Sequence, residues 1–178
     1  TMDRRLGNIS AMINGLCDLG YLCLFQGNVD KAREYYRQSL VTCRQYGLEP
    51  DRGVLFFLSM LSLHQNDFLV ATQGFINLYK YAEAWDKKRD VLNLLSGLAA
   101  IAGATNQFER SAKLSGAAQA ILEETGYKYR PFLRAIFDRH IQVARDGLGQ
   151  TAFEALASEG RAMTMDQAVT YALETQSA

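Results

Sequence analysis

The stretch Leu16–Ser39, LCDLGYLCLFQGNVDKAREYYRQS, decides the fold. Leu16, Leu19 and Cys23 fall at i, i+3 and i+7, one face of a helix. Gly20, directly after the second leucine, lets a partner helix come close. Gly27-Asn28 then supplies residues that tolerate turn geometry. A second helix beginning at Val29 turns Ala32, Tyr36 and Ser39 back towards the first. The same order returns 39 residues later as Leu55, Leu58, Ser59, Ser62, Asn66, Ala71, Phe75 and Leu78. A further step of 40 gives Leu95, Leu98, Ala99, Ala102, Asn106, Ser111, Ser115 and Ala118. The second and third turns are therefore Asn66-Asp67 and Asn106-Gln107, with the following helices starting at Phe68 and Phe108.

Breakers separate these units: Gly47 with Pro50, the charged run from Asp86 to Asp90, and Gly126. After the third unit, Arg130-Pro131 places a proline where a helix can begin. Phe132, Ile136, His140, Val143 and Ala144 give that helix an apolar face, and Gly147 is expected to end it. Thr151-x-x-Glu154 and Thr164-x-x-Gln167 both read as capping boxes opening short terminal helices. Met165, Ala168, Val169, Ala172 and Leu173 form the packing side of the last one. The expected architecture is one all-α domain over 1–178, with repeats at about 8–46, 51–86 and 90–126 and capping helices over 130–176. No alternating strand pattern competes.

Leu16, Leu19-Gly20, Gly27, Ala32, Tyr36 and Ser39 resemble the tetratricopeptide repeat, with leucine where that repeat carries tryptophan. The second and third units match more loosely, and Ser115 stands where an aromatic belongs. The resemblance implies a right-handed α-solenoid of about three helical hairpins, with periods longer than the usual ~34 residues. Ser111-Ala112-Lys113-Leu114-Ser115-Gly116-Ala117-Ala118 is similar to a third-repeat segment of large bacterial LuxR-type or MalT-like ATP-dependent transcriptional regulators. Gly149-x-x-Ala152-Phe153, Glu159-Gly160-Arg161-Ala162-Met163-Thr164 and Gln167-Ala168-Val169-x-Tyr171-Ala172-Leu173 resemble their closing segment. In that family an ATPase module precedes the repeats and an output domain lies elsewhere, so the resemblance implies the sensing or interaction arm.

Nineteen basic and nineteen acidic residues balance, so neither a basic excess nor a basic stripe points to nucleic acid. Lys87-Lys88-Arg89 reads as cations compensating the negative end of a helix. Cys17, Cys23 and Cys43 have no metal spacing, and Cys17 and Cys23 lie roughly 9 Å apart along one helix. They read as reduced thiols of a cytoplasmic protein. Val91 to Phe108 carries no charge but is shorter than the ~20 residues a bilayer requires, so it reads as a buried helix and no membrane is expected.

The chain has no phosphate loop, and Gly147-x-Gly149-x-x-Ala152 lacks the strand that a dinucleotide fingerprint follows. Nothing beside His64 or His140 resembles a catalytic constellation, and no metal-ligand cluster occurs. No enzyme, cofactor or metal is therefore expected. Function is expected on the concave face of the stack, where the repeat places Asn14, Tyr21 and Phe25, then Phe56, Met60 and His64, then Asn93, Ser96 and Ala100. An aromatic and apolar groove of that kind suits a peptide or a small ligand. The lysine-and-asparagine clamp for acidic C-terminal peptides is missing. Two readings follow: a non-catalytic interaction module, the regulatory arm of a larger bacterial signalling protein, or a sensor whose groove takes a small-molecule effector. Partners left open are a protein or peptide, an adjoining ATPase module, an effector, and a second copy of the chain.

Overall fold

The computed structural model describes residues 2–49, 52–80 and 87–174. Pro50, the Asp86 end of the charged run and positions 175–176 of the last cap lie outside the described residues. Nine helices and no strand occur among the described residues: α1 (Met2–Phe25), α2 (Val29–Gln45), α3 (Arg52–His64), α4 (Phe68–Lys80), α5 (Lys87–Ala104), α6 (Phe108–Thr125), α7 (Pro131–Leu148), α8 (Gln150–Arg161) and α9 (Met165–Glu174).

The three expected turns share one hydrogen-bond pattern. Gly27, Asn66 and Asn106 each adopt a left-handed backbone, with φ of 74°, 62° and 61°. Only glycine and asparagine visit that region cheaply. The next amide then donates five residues back: Asn28 to Cys23, Asp67 to Ser62, and Gln107 to Ala102. This bond satisfies carbonyls that the preceding helix leaves open. Asp67 also caps α4, its Oδ1 accepting from the Val70 amide at 3.3 Å.

Each turn folds one helix back antiparallel on the last. In the first pair Gly20 faces the Tyr36 ring, and further from the turn Cys17 Sγ lies 3.5 Å from Ser39 Oγ. Ser59 and Gly74 meet at the same level of α3 and α4, and Ser111 Oγ donates to the Ala99 carbonyl at 2.8 Å across α5 and α6. The small residue after each repeat leucine therefore faces its partner helix, as the spacing predicts. Ala32, Ala71 and Ser111 are each fully buried at that seam.

Consecutive pairs then pack on one another through α2 and α3, and through α4 and α5. At the first junction Phe57 stacks on Tyr36, ring centroids 5.2 Å apart and 5° from parallel. At the second, Gly97 makes room for the Phe75 ring. Arg52 adds an ion pair to the buried Asp90 carboxylate at 2.7 Å, tying α3 to α5.

The final three helices close the molecule. Helix α7 lies along α5 and also touches α3 and α6, while α8 lies along α6 and α9 packs on α5 and α6. The α6–α8 contact is backbone to backbone: Gly116 sits against the Ala157 carbonyl and Gly160 against the Lys113 carbonyl. The sequence expectation is corrected at α5, where Lys87-Lys88-Arg89 opens the helix at its positive end instead of following a helix, and in two details of these last helices. Helix α7 runs through Gly147, whose missing side chain admits the Phe108 ring, and stops at Gly149 (φ 79°). Gly149 also precedes α8, so Thr151 lies inside that helix instead of capping it, and Glu154 pairs with Arg145. The second capping box forms as expected: the Thr164 amide donates to Gln167 Oε1 at 2.9 Å, and the Gln167 amide to Thr164 Oγ1 at 3.2 Å.

Candidate functional site

The residues expected to line one open groove divide into two groups. On α1, Asn14 and Phe25 are exposed and Tyr21 is half-buried, with the Arg130 guanidinium 4.1 Å above its ring. On α3 and α5 the face is covered. Met60 and Ala100 are fully buried, and Phe56 joins a ring cluster with Phe57, Phe75 and Tyr129. Asn93 and Ser96 are buried beneath Tyr129, whose hydroxyl lies 2.9 Å from Asn93 Oδ1 and 3.4 Å from Ser96 Oγ. The expectation of exposure at Phe56, Met60, Asn93, Ser96 and Ala100 is therefore corrected. The cause is α7, which enters this face behind Tyr129. Gly103 lets its backbone approach at the His140 carbonyl.

His64, at the rim, is half-buried against the Phe132 ring at 6.1 Å, and burial followed by the nearby Arg139 pushes its pKa down. The Arg139 guanidinium donates to the His64 carbonyl at 3.3 Å and sits 3.1 Å from His140 Nε2. Because a guanidinium only donates, Nε2 of His140 is the acceptor and stays unprotonated. Burial and then Arg139 hold the His140 pKa below 6.5, with the Leu63 backbone opposing them. These groups join α3 to α7.

Two features remain open to solvent, a cavity that the sequence reading did not single out and a helix side of which it named only Phe25 as a binding residue. The first is a cavity of about 310 Å³ between α6, α7 and α8. Tyr129, Phe137, Phe153, Ser96 and Ser115 lie around its interior, and Arg134, Arg145 and Arg161 reach its walls. Each guanidinium has a carboxylate: Asp138 at 2.9 Å, Glu154 at 2.5 Å and Glu123 at 2.6 Å respectively. Arg145 also lies 4.2 Å over the Phe153 ring. The Gln119 amide and the Arg161 guanidinium hold the Glu123 carboxyl below the usual range. The cavity thus offers apolar rings and hydroxyls within and paired charges at its mouth. No sequence spacing announces it, because Arg134 and Arg145 of α7 meet Arg161 of α8 only where both helices pack on α6.

The second feature is the outer side of α1. Ile13, Gly20 and Leu24 face inward, while Met12, Leu19, Leu22 and Phe25 are exposed on the other side. A helix apolar on both sides is ordinarily covered on both. Gly7–Phe25 is long and apolar enough to cross a membrane by length and composition alone. Its inner side is already packed on α2, and Asp18 stands midway along the stretch, which makes a bilayer a poor solvent for it.

No family model, curated protein or solved structure matches the chain. No group of three or more histidine, cysteine, aspartate or glutamate residues able to hold a metal occurs among the described residues. Cys17, Cys23 and Cys43 form no disulfide among the described residues.

Proposed function

We propose that the chain is a non-catalytic interaction module, a tetratricopeptide-like right-handed stack of three hairpins with helical caps. On this reading it is the regulatory arm of a larger cytoplasmic bacterial signalling or transcription-regulator protein of the LuxR-type, MalT-like kind. The repeat reading draws support from the shared turn bonds at Gly27, Asn66 and Asn106 and the shared seam residues. The resemblance to the regulators draws support from the contact of Gly116 with Ala157 and of Gly160 with Lys113, which brings their two quoted segments together.

The observation that carries the interaction role is the apolar outer side of α1. With α7 over the inner face and α8 over α6, it carries four exposed large apolar side chains, more than any other helix shows among the described residues. Photo-crosslinking tests it directly. A crosslinking amino acid at Leu22 or Phe25, in the protein at its native level, should capture a polypeptide segment. The same probe at exposed Glu34 or Gln38 should not. Equal, diffuse labelling at all four positions would refute the role.

The cavity between α6, α7 and α8 favours a second reading, in which a compact polar effector binds there. A thermal-shift screen with small polar compounds should then give hits that Ser115→Phe abolishes by filling the space. Hits that survive this filling would place the ligand elsewhere.

A further inference from the structure

From the repeat equivalences we infer that the outer side of α1 is the seat of a further helical hairpin, contributed by a polypeptide segment other than those described. It would stack on α1 as α1–α2 stacks on α3, presenting an alanine-and-aromatic ridge with a hydrogen-bond donor opposite Asp18. This names the partner of the surface on which the interaction role rests.

The inference follows from equivalent positions. Gly15, Asp18, Leu19 and Leu22 correspond to Val54, Phe57, Leu58 and Leu61 of α3, and to Leu94, Gly97, Leu98 and Ile101 of α5. In α3 and α5 these positions form the junction with the preceding hairpin. Val54 and Leu61 pack with Leu24, Ala32 and Tyr36, Phe57 stacks on Tyr36, and Gly97 receives Phe75. Leu61 and Ile101 are accordingly 2% and 8% exposed, whereas Leu22 is 52% exposed. Leu98 is 2% exposed and Leu19 is 44%. Helix α1 thus carries leucines at the junction positions with no preceding hairpin upon them among the described residues.

The identity of the visitor follows from what each junction uses. Tyr36 and Phe75 are one period apart, and each meets the same position of the next first helix. On α1 that position is Asp18. A visitor's ridge residue there must satisfy a carboxylate, so a tyrosine hydroxyl or a basic side chain fits and a phenylalanine does not.

A second copy of this chain fits poorly. Its own ridges are occupied, that of α2 by α3, that of α4 by α5 and that of α6 by α8. Pairing two α1 stripes about a two-fold axis would set Asp18 against Asp18, because it lies midway between Met12 and Phe25.

The experiment uses the chain's own hairpin as probe. A second copy of residues 12–50 is inserted directly before Met12 of the full chain, which preserves the period of 39. Hydrogen exchange of the original α1 amides from Gly15 to Phe25 is compared with the unaltered protein. The inference expects about tenfold or greater slowing, removed when the original Leu22 becomes Lys, and an unaltered chain that stays monomeric. Unchanged exchange with an unprotected inserted hairpin overturns it. So does a dimer of the unaltered chain that Leu22→Lys dissociates, since the occupant would then be a second copy. The Leu22 crosslinking experiment stands apart: captured segments together with a failed insertion would refute the hairpin and leave the interaction role.

Discussion

Replacing Gly160 by alanine, with Gly15→Ala as its control, tests the closure of α8 on α6. At position 160 an added Cβ would stand 2.6 Å from the Lys113 carbonyl carbon and 2.9 Å from its Cα, closer still to the oxygen. Carbon atoms rest at about 3.5–4.0 Å, so the two helices must part by about 1 Å. No side-chain rotamer can absorb this, because the obstacle is main chain. Overpacking of this kind costs about 1–3 kcal/mol, and the upper end applies here. Alanine returns about 1 kcal/mol of helix propensity at both sites. Position 15 meets nothing within 4 Å, so only that gain remains. The Gly160 variant should lose about 2 kcal/mol net, a fall in Tm of about 4–8 °C, while the Gly15 variant rises by about 2–4 °C. Circular-dichroism melts of the two proteins at one concentration measure the difference. If Gly160→Ala rises with Gly15→Ala, the backbone contact between α6 and α8 is not present in solution.

Phe56→Ala should cost about 3–5 kcal/mol in urea unfolding, because its ring is buried among Phe57, Phe75 and Tyr129. A fully stable variant would restore Phe56 to an open groove. Tyr129→Phe should cost about 1–2 kcal/mol by stranding Asn93 and Ser96 beneath the loop, measured in the same way. His140 has a folded pKa below its unfolded 6.5, so the unfolded chain binds the proton more readily. Stability should be complete above about pH 7 and fall as the pH drops through 6.5 towards the lowered value, by up to ~1.4 kcal/mol per pH unit. Denaturation midpoints in His140→Gln should lose that part of the slope. Calorimetry with ATP should give no micromolar binding, in keeping with a chain that lacks a phosphate loop.

What the sequence made legible was local. The turns at Gly27, Asn66 and Asn106, the helix starts at Val29, Phe68 and Phe108, and the Thr164–Gln167 box each depend on neighbours a few residues away. The covered face was not legible, because nothing near Phe56 or Asn93 indicates that a helix beginning only at Pro131 will lie on it. Gly147 misled for a related reason. A glycine near a helix end suggests a stop, but this one serves the distant Phe108, and the stop is two residues on. The Gly116 and Gly160 segments stood out as separate resemblances, and their contact with each other emerges only in the folded chain. The outer side of α1 was visible as leucines in the repeat, but the repeat alone does not say which leucines have a neighbour.

The placement of α7 gives the two ends of the molecule different modes of melting. Helices α1 and α2 are held mainly by their mutual seam and the junction with α3, with Arg130 over the Tyr21 ring and Phe132 against the same cluster as side contacts, a near-linear arrangement in which each unit depends on the next. Helix α5 is instead gripped on several sides at once, by α4, α6, α7 and α9. Partial opening should therefore begin at the first hairpin and travel inward until it meets α5, beyond which the rest gives way together. A stack that would otherwise unzip unit by unit is thereby converted, over its second half, into a single cooperative block.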